Sequence, residues 1–162
     1  LKKLEYNTTI LEYASVDELS FDDKQLVAMA REAAEVAYAP YSNFQVGAAL
    51  MLGNGVCVKG CNQENVAYPS GLCAERVAAF SAYSQYPGIA MNTIAITAKS
   101  KNFKVESPIS PCGSCRQVLA EYEHLQGSPI RVILTGETGK VLIVEKVEDI
   151  LPLSFKEEKL KK

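Results

Sequence analysis

The chain has 162 residues, 48% of them hydrophobic, with 17 Lys and Arg against 19 Asp and Glu for a formal net charge of -2. At this length about 69% of the unfolded surface can be buried, so one core can form without disulfides. The balanced charge, with no basic stripe, argues against a nucleic-acid surface, whose affinity rests on Lys and Arg neutralising phosphates. No apolar run reaches the ~18 to 20 residues of a membrane span, and Leu1 to Asp17 lacks the basic-then-apolar order of a signal peptide. A soluble, cytoplasmic protein is therefore expected.

Residues 1 to 19 carry no firm periodicity and are read as an N-terminal arm. Ser20 followed by Asp23 resembles a capping box, and Leu26, Val27, Met29, Ala30, Ala33, Ala34, Val36 and Ala37 recur at helical spacing. This predicts a helix that ends near Tyr38, with Pro40 marking the boundary. Phe44 to Leu52, broken by Gly47, and Val56 to Gly60 flank the tight turn Gly53-Asn54-Gly55 and predict an antiparallel hairpin. A polar segment, Asn62 to Gly71, leads to a predicted helix from Cys73 to about Tyr86, stopped by Pro87 and Gly88. Met91 to Ala98 is β-branched enough to be a strand, and a charged loop, Lys99 to Ser110, runs to Pro111. The next helix is expected to start there, with its body over Cys115 to Gln126 and Gly127 as its stop. Ile130 to Thr135 and Lys140 to Val144 predict a second hairpin, because a four-residue turn can only join antiparallel strands. Val147 to Leu151 reads as one more short helix, and Lys156 to Lys162 as a charged tail. The order predicts a single α/β domain over 20–155. It is expected to be a three-layer α-β-α sandwich with a mixed five-stranded sheet whose last two strands are antiparallel.

The chemistry is concentrated in five cysteines, Cys57, Cys61, Cys73, Cys112 and Cys115, accompanied by a single histidine, His124. An odd count in a chain of this size points to reduced thiols or metal ligands, and one histidine means that any metal site is thiolate-rich. Cys73-Ala74-Glu75 opens one predicted helix and Pro111-Cys112-Gly113-Ser114-Cys115 another. A Cys-x-x-Cys pair in a first helical turn puts both sulfurs on one face, and the helix N-terminus favours the thiolate that zinc prefers. Three thiolates leave the fourth tetrahedral position to water, which distinguishes a catalytic zinc from a structural one. Glu75 can then reach that water as a proton shuttle rather than as a ligand. The formal charge of -1 on such a centre calls for an offset, expected from the two helix N-termini and from Arg76 hydrogen-bonded to ligand sulfurs.

Other readings of these cysteines stay open at this point. A thioredoxin-like redox pair leaves Cys-Ala-Glu unexplained, and a structural four-cysteine zinc domain needs Cys57 or Cys61 as its fourth ligand. Those two would stand about 13 Å apart on an extended strand, so both cannot hold one ion, and they are taken as small buried apolar residues. His124, about two turns beyond Cys115, reads as a helix-surface residue.

Cys73-Ala-Glu75 with Pro111-Cys-x-x-Cys115 resembles the zinc-dependent cytidine deaminase family, specifically its small homotetrameric, three-cysteine branch. Matching stretches run from Tyr38-Ala-Pro-Tyr-Ser-Asn-Phe44 through Gly60-Cys-Asn62-Gln-Glu64 and Ser110-Pro-Cys-Gly-Ser-Cys-Arg-Gln117 to Leu151-Pro-Leu-Ser-Phe155. The resemblance implies hydrolytic deamination of cytidine and 2′-deoxycytidine in pyrimidine salvage, by a zinc-bound hydroxide with Glu75 shuttling protons. It assigns one zinc per chain to Cys73, Cys112 and Cys115. It matches Asn62 and Glu64 to the ribose 3′-hydroxyl, Phe44 to the flank of the pyrimidine and the Ala74 backbone to the base. Tyr68 matches an interface residue near the sugar, and Phe155 an aromatic that enters a neighbouring subunit's site. The implied partners are a free pyrimidine nucleoside and further copies of the chain in a homotetramer with shared active sites. A cysteine as first ligand, a short final hairpin and no basic cluster for a 5′-phosphate favour free nucleosides over nucleotides or polynucleotides. Two alternatives are a blasticidin-S-type aminopyrimidine nucleoside deaminase, against which Asn62, Glu64 and Phe155 argue, and a non-catalytic structural zinc domain, which has no need of Glu75.

Overall fold

A computed structural model describes residues 1–160, so the last two residues of the expected charged tail lie outside the described residues. The first helix, α1 (Phe21–Glu35), opens where Ser20 Oγ accepts the Asp23 amide at 3.2 Å. Only half of a capping box forms. The Asp23 carboxylate turns instead to Arg131, which grips it through two nitrogens at 2.6 and 3.0 Å and ties α1 to the sheet. The helix stops at Glu35, short of the expected Tyr38. The Tyr38 amide donates to Asn62 O and the Tyr38 carbonyl accepts from the Glu64 amide, so the backbone is drawn out of the helix into a bridge.

The strands are β1 (Leu11–Tyr13), β2 (Phe44–Leu52), β3 (Cys57–Cys61), β4 (Met91–Ser100), β5 (Arg131–Leu134) and β6 (Val141–Val144), in spatial order β1-β6-β5-β4-β2-β3. Both predicted hairpins form, and β5 with β6 is antiparallel, from Val132 opposite Val144 to Leu134 opposite Leu142. The one parallel pair, β4 with β5, is connected through α3 (Gly113–Gln126), the crossover that parallel strands require. The sheet has six strands rather than five. The N-terminal arm, in which the sequence carries no firm period, contributes β1, which pairs with β6 and is too short for its sequence to show one.

Strand alternation divides the core between the two faces of the sheet. Ala49, Ala95, Ile133 and Ile143 pack under α1 with Leu26, Val27 and Ala30. Ala48, Leu50, Ile94, Ile96 and Val132 face the other way, against α2 (Ala74–Gln85) and α3 through Ala78, Ala82 and Leu119. The expected three layers are therefore present, with α2 and α3 side by side on one face. The α3 helix ends at Gly127, whose φ of 67° is the left-handed conformation that suits glycine. Val147–Ile150, expected as a short helix, is a 3₁₀ turn.

Gly60 lets α2 lie directly on β3. A Cβ at this position would stand 2.5 Å from both Ala74 O and Ala78 N. Any side chain there must lift the first turn of α2. A Gly60→Ala variant is expected to lose about 1–3 kcal/mol of stability, read as a lower urea midpoint, and to bind zinc more weakly because Cys73 moves with that turn.

Candidate zinc and nucleoside site

Cys73 is the N-cap of α2 and Cys112 the N-cap of α3, and the two helices begin at the same point above the sheet. Their sulfurs lie 3.8 Å apart, and Cys112 and Cys115 Sγ are 3.5 Å apart across the first turn of α3. All three sulfurs fall within 4.8 Å of one another. A tetrahedral zinc with bonds of about 2.3 Å needs sulfurs about 3.8 Å apart, so this donor set fits zinc in both chemistry and spacing. Cys115 is fully buried, Cys73 half-buried and Cys112 exposed, which puts the open side of the trio toward a cavity. Cys57 and Cys61 stand outside the trio on β3, and no fourth thiol completes a closed site among the described residues. They are half-buried rather than buried apolar residues. Cys61 Sγ accepts from Gln63 Nε2 at 3.2 Å.

The thiols share their charge unequally. Hydrogen bonding from Cys115, helped by Arg76 and Cys112 and opposed by burial, brings the Cys73 thiol down to about 5. Donating to Cys73, together with burial, raises Cys115. Arg76 reaches Cys73 Sγ at 3.6 Å, and that contact raises its own pKa. Its Nε is buried without a hydrogen-bond partner among the described residues. Glu75, 4% exposed, is the only charged residue among the described residues that is buried, and it lines the cavity with Cys73 and Cys112. Burial pushes its carboxyl up, as does the charge on Cys73.

The cavity has a volume of about 630 Å³, within the range of small-molecule sites. Cys73, Glu75, Arg76 and Cys112 form its floor, and Asn62, Glu64 and Tyr68 are also in its wall. Asn62 and Glu64 both have structural duties. Asn62 Oδ1 accepts from the Val46 amide at 2.8 Å and its Nδ2 donates to Phe44 O at 3.0 Å. Glu64 accepts the amides of Tyr41 and Ser42 at 2.8 and 3.3 Å and the Ser42 hydroxyl at 2.5 Å. One N–H of Asn62 and one lone-pair site of Glu64 remain, a donor and an acceptor suited to one hydroxyl.

The family model for the cytidine and deoxycytidylate deaminase zinc-binding region matches residues 20–126. The chain belongs to this family. A cytidine deaminase of Sporosarcina psychrophila is 42% identical over 140 residues, covering 86% of this chain and 95% of the relative. One of Halalkalibacterium halodurans is 40% identical, covering 83% of this chain and 94% of its own. Among solved structures, cytidine deaminase from Burkholderia pseudomallei superposes with a TM-score of 0.71 at 41% identity, over 82% of this chain and 98% of its own.

Three residues that the resemblance to this deaminase family singled out lie outside the cavity wall. Ala74 is fully buried between Cys73 and Glu75. Phe44 is half-buried at the start of β2, on the same face of the strand as the wall residue Val46. Phe155 is exposed, its backbone N and O bonded to the Gln117 side-chain amide at 3.0 Å each. His124 is on α3, paired with Glu158, as its helix-surface reading implied. Sequence reasoning missed Tyr41, Ser42, Ile109 and Ser110, all in the wall. The first two were inside the matched Tyr38-to-Phe44 stretch, and the last two precede Pro111.

Glu64 supplies a pH test. Partial burial opposes its charge, but the Ser42 hydroxyl and the two amides outweigh this and lower its pKa. The resulting stability is present above the ordinary glutamate value and lost as pH falls through the lower folded value. A Glu64→Gln variant is expected to be less stable than wild type near pH 7. That gap should close as pH falls below the folded value, as read from urea midpoints across pH 3 to 7.

Proposed function

We propose that this chain is a cytoplasmic enzyme of pyrimidine salvage that hydrolyses cytidine and 2′-deoxycytidine to uridine and 2′-deoxyuridine with release of ammonia. The observation that carries the reading is a buried carboxylate, Glu75, in the wall of a nucleoside-sized cavity with Cys73 and Cys112, the fully buried Cys115 completing the sulfur trio behind them. Cys73, Cys112 and Cys115 would hold one zinc per chain, and zinc there polarises a water and lowers its pKa. Glu75 takes a proton from the attacking water and delivers it to N3 of the pyrimidine. It then carries a second proton from the same oxygen to the amine leaving C4. Its raised pKa suits a group that must both accept and return a proton near neutral pH. Arg76, donating to Cys73, draws off negative charge that would otherwise keep the water basic.

The remaining donor of Asn62 and acceptor of Glu64 bind the ribose 3′-hydroxyl, with Tyr68 beside the sugar. Phe44 flanks the pyrimidine, and the Ala74 backbone contacts the base. Phe155 serves a neighbouring copy's site. The exposed apolar rim formed by Val66, Tyr68 and Leu72 supports a homotetramer that covers the mouth of each cavity.

Cytidine absorbance followed over time is expected to fall to that of uridine with the zinc-loaded protein. A Glu75→Gln variant should lose at least about 10³-fold in kcat while retaining its zinc, as measured by metal analysis. Loss of the metal in that variant would show Glu75 to be a ligand. Removal of zinc with a chelator should stop turnover and lower Tm.

Among the described residues Arg76 is the only cation in the cavity wall and is engaged with Cys73, while Glu64 repels a phosphate near the sugar. Cytidine 5′-monophosphate is therefore expected to react with a kcat/KM at least about tenfold below that of cytidine. Equal values would overturn the nucleoside assignment.

A further inference from the structure

The β4–α3 loop, residues 101–112, joins two parts of the cavity that the chain otherwise keeps apart. Its far end carries Ile109 and Ser110 in the wall and leads into Cys112. Its near end meets the turn before β2, where the Lys101 amide donates to Asn43 O at 3.2 Å. Beyond that contact, Phe103 projects from the loop with its ring centroid 6.2 Å from that of Phe44 and the planes 31° apart.

Phe103 has no place in either core cluster. It is 61% exposed, whereas the loop's own anchor is Val105, 4% exposed. Val105 N donates to Glu137 Oε1 at 2.9 Å and its carbonyl accepts the Glu137 amide at 2.7 Å. The loop is therefore held without Phe103. The turn that Phe103 covers is itself under constraint. Asn43 has a φ of 55°, the one non-glycine residue in the left-handed region among the described residues. The Phe44 amide donates to Ser42 Oγ at 3.0 Å, and that hydroxyl donates to Glu64. The Phe44 backbone is thus tied through Ser42 to the Glu64 side of the cavity.

We propose that Phe103 is a positioning residue for nucleoside binding. It backs Phe44 from the solvent side, so that the turn carrying Tyr41 and Ser42 keeps the shape that the base and sugar require. It touches neither the sulfurs nor Glu75, so it acts on binding rather than on the chemical step. This rests on the deaminase reading above, in which Phe44 flanks the pyrimidine.

The test compares zinc-loaded wild type with Phe103→Ala and Phe103→Leu, using steady-state kinetics on cytidine and calorimetric binding of uridine. Phe103→Ala is expected to raise KM and the uridine Kd about three- to tenfold, with kcat changed by less than about twofold. Tm and zinc content should match wild type, and Phe103→Leu, which restores an apolar backing, should recover most of the loss. An unchanged KM and Kd, or a loss that appears in kcat or follows a lowered Tm, would overturn the proposal. Wild type that binds uridine without deaminating cytidine would overturn the reaction and leave the Kd comparison to decide on Phe103. Wild type that binds neither nucleoside would overturn both.

Discussion

Three sulfurs can converge to within bonding distance of one ion only if two helices begin at the same point above the sheet. Everything else in this fold is arranged around that requirement. The bare backbone of Gly60 lets α2 settle on β3 so that Cys73 and Glu75 arrive at a fixed height. The parallel pairing of β4 with β5 forces a crossover, and α3 is that crossover, delivering Cys112 and Cys115 to the same place. Arg116 secures the approach, its Nε donating to Pro111 O at 2.8 Å and its Nη1 to Ile150 O at 3.2 Å.

The electrostatics follow from the same convergence. Two helix N-termini and Arg76 bring positive potential to a cluster of thiols, and the hydrogen bonds among them lower Cys73 while raising Cys115. Glu75, the second residue of α2, is buried by that packing and shares the cavity wall with Cys73 and Cys112. Burial thereby holds the Glu75 pKa up in a cavity wall that also carries Asn62 and Glu64.

The parts of this design that are local in the chain were legible in the sequence. Ser20, Gly53-Asn54-Gly55 and Gly127 mark boundaries through single-residue preferences, and the helices and hairpins appear where those residues place them. Cys73, Cys112 and Cys115 pointed to a metal because two helix starts bring three thiols with Glu75 beside one of them, which a redox pair leaves unexplained. What could not be read depends on pairing between distant segments. The stop of α1 at Glu35 is set by Tyr38 bonding to residues 62 and 64, and the turn of Asp23 away from its own helix is set by Arg131. Asn62 and Glu64 came from a resemblance, which gave no sign that both side chains already brace the backbone of the 41–46 segment.

The three-residue strand β1 occupies the outer side of β6, fastened by Lys140 to Glu12 at 2.6 Å and by Thr8 Oγ1 to Asp149 O at 2.6 Å. β6 is a nearly continuous apolar strand, Val-Leu-Ile-Val, and its outer backbone groups would otherwise be free to template pairing with a foreign strand. The arm therefore covers that edge and leaves only a three-residue strand at that rim of the sheet. It satisfies hydrogen bonds that solvent or another chain would contest, at the end of the sheet farthest from β3 and the hairpin that supports the sulfur site.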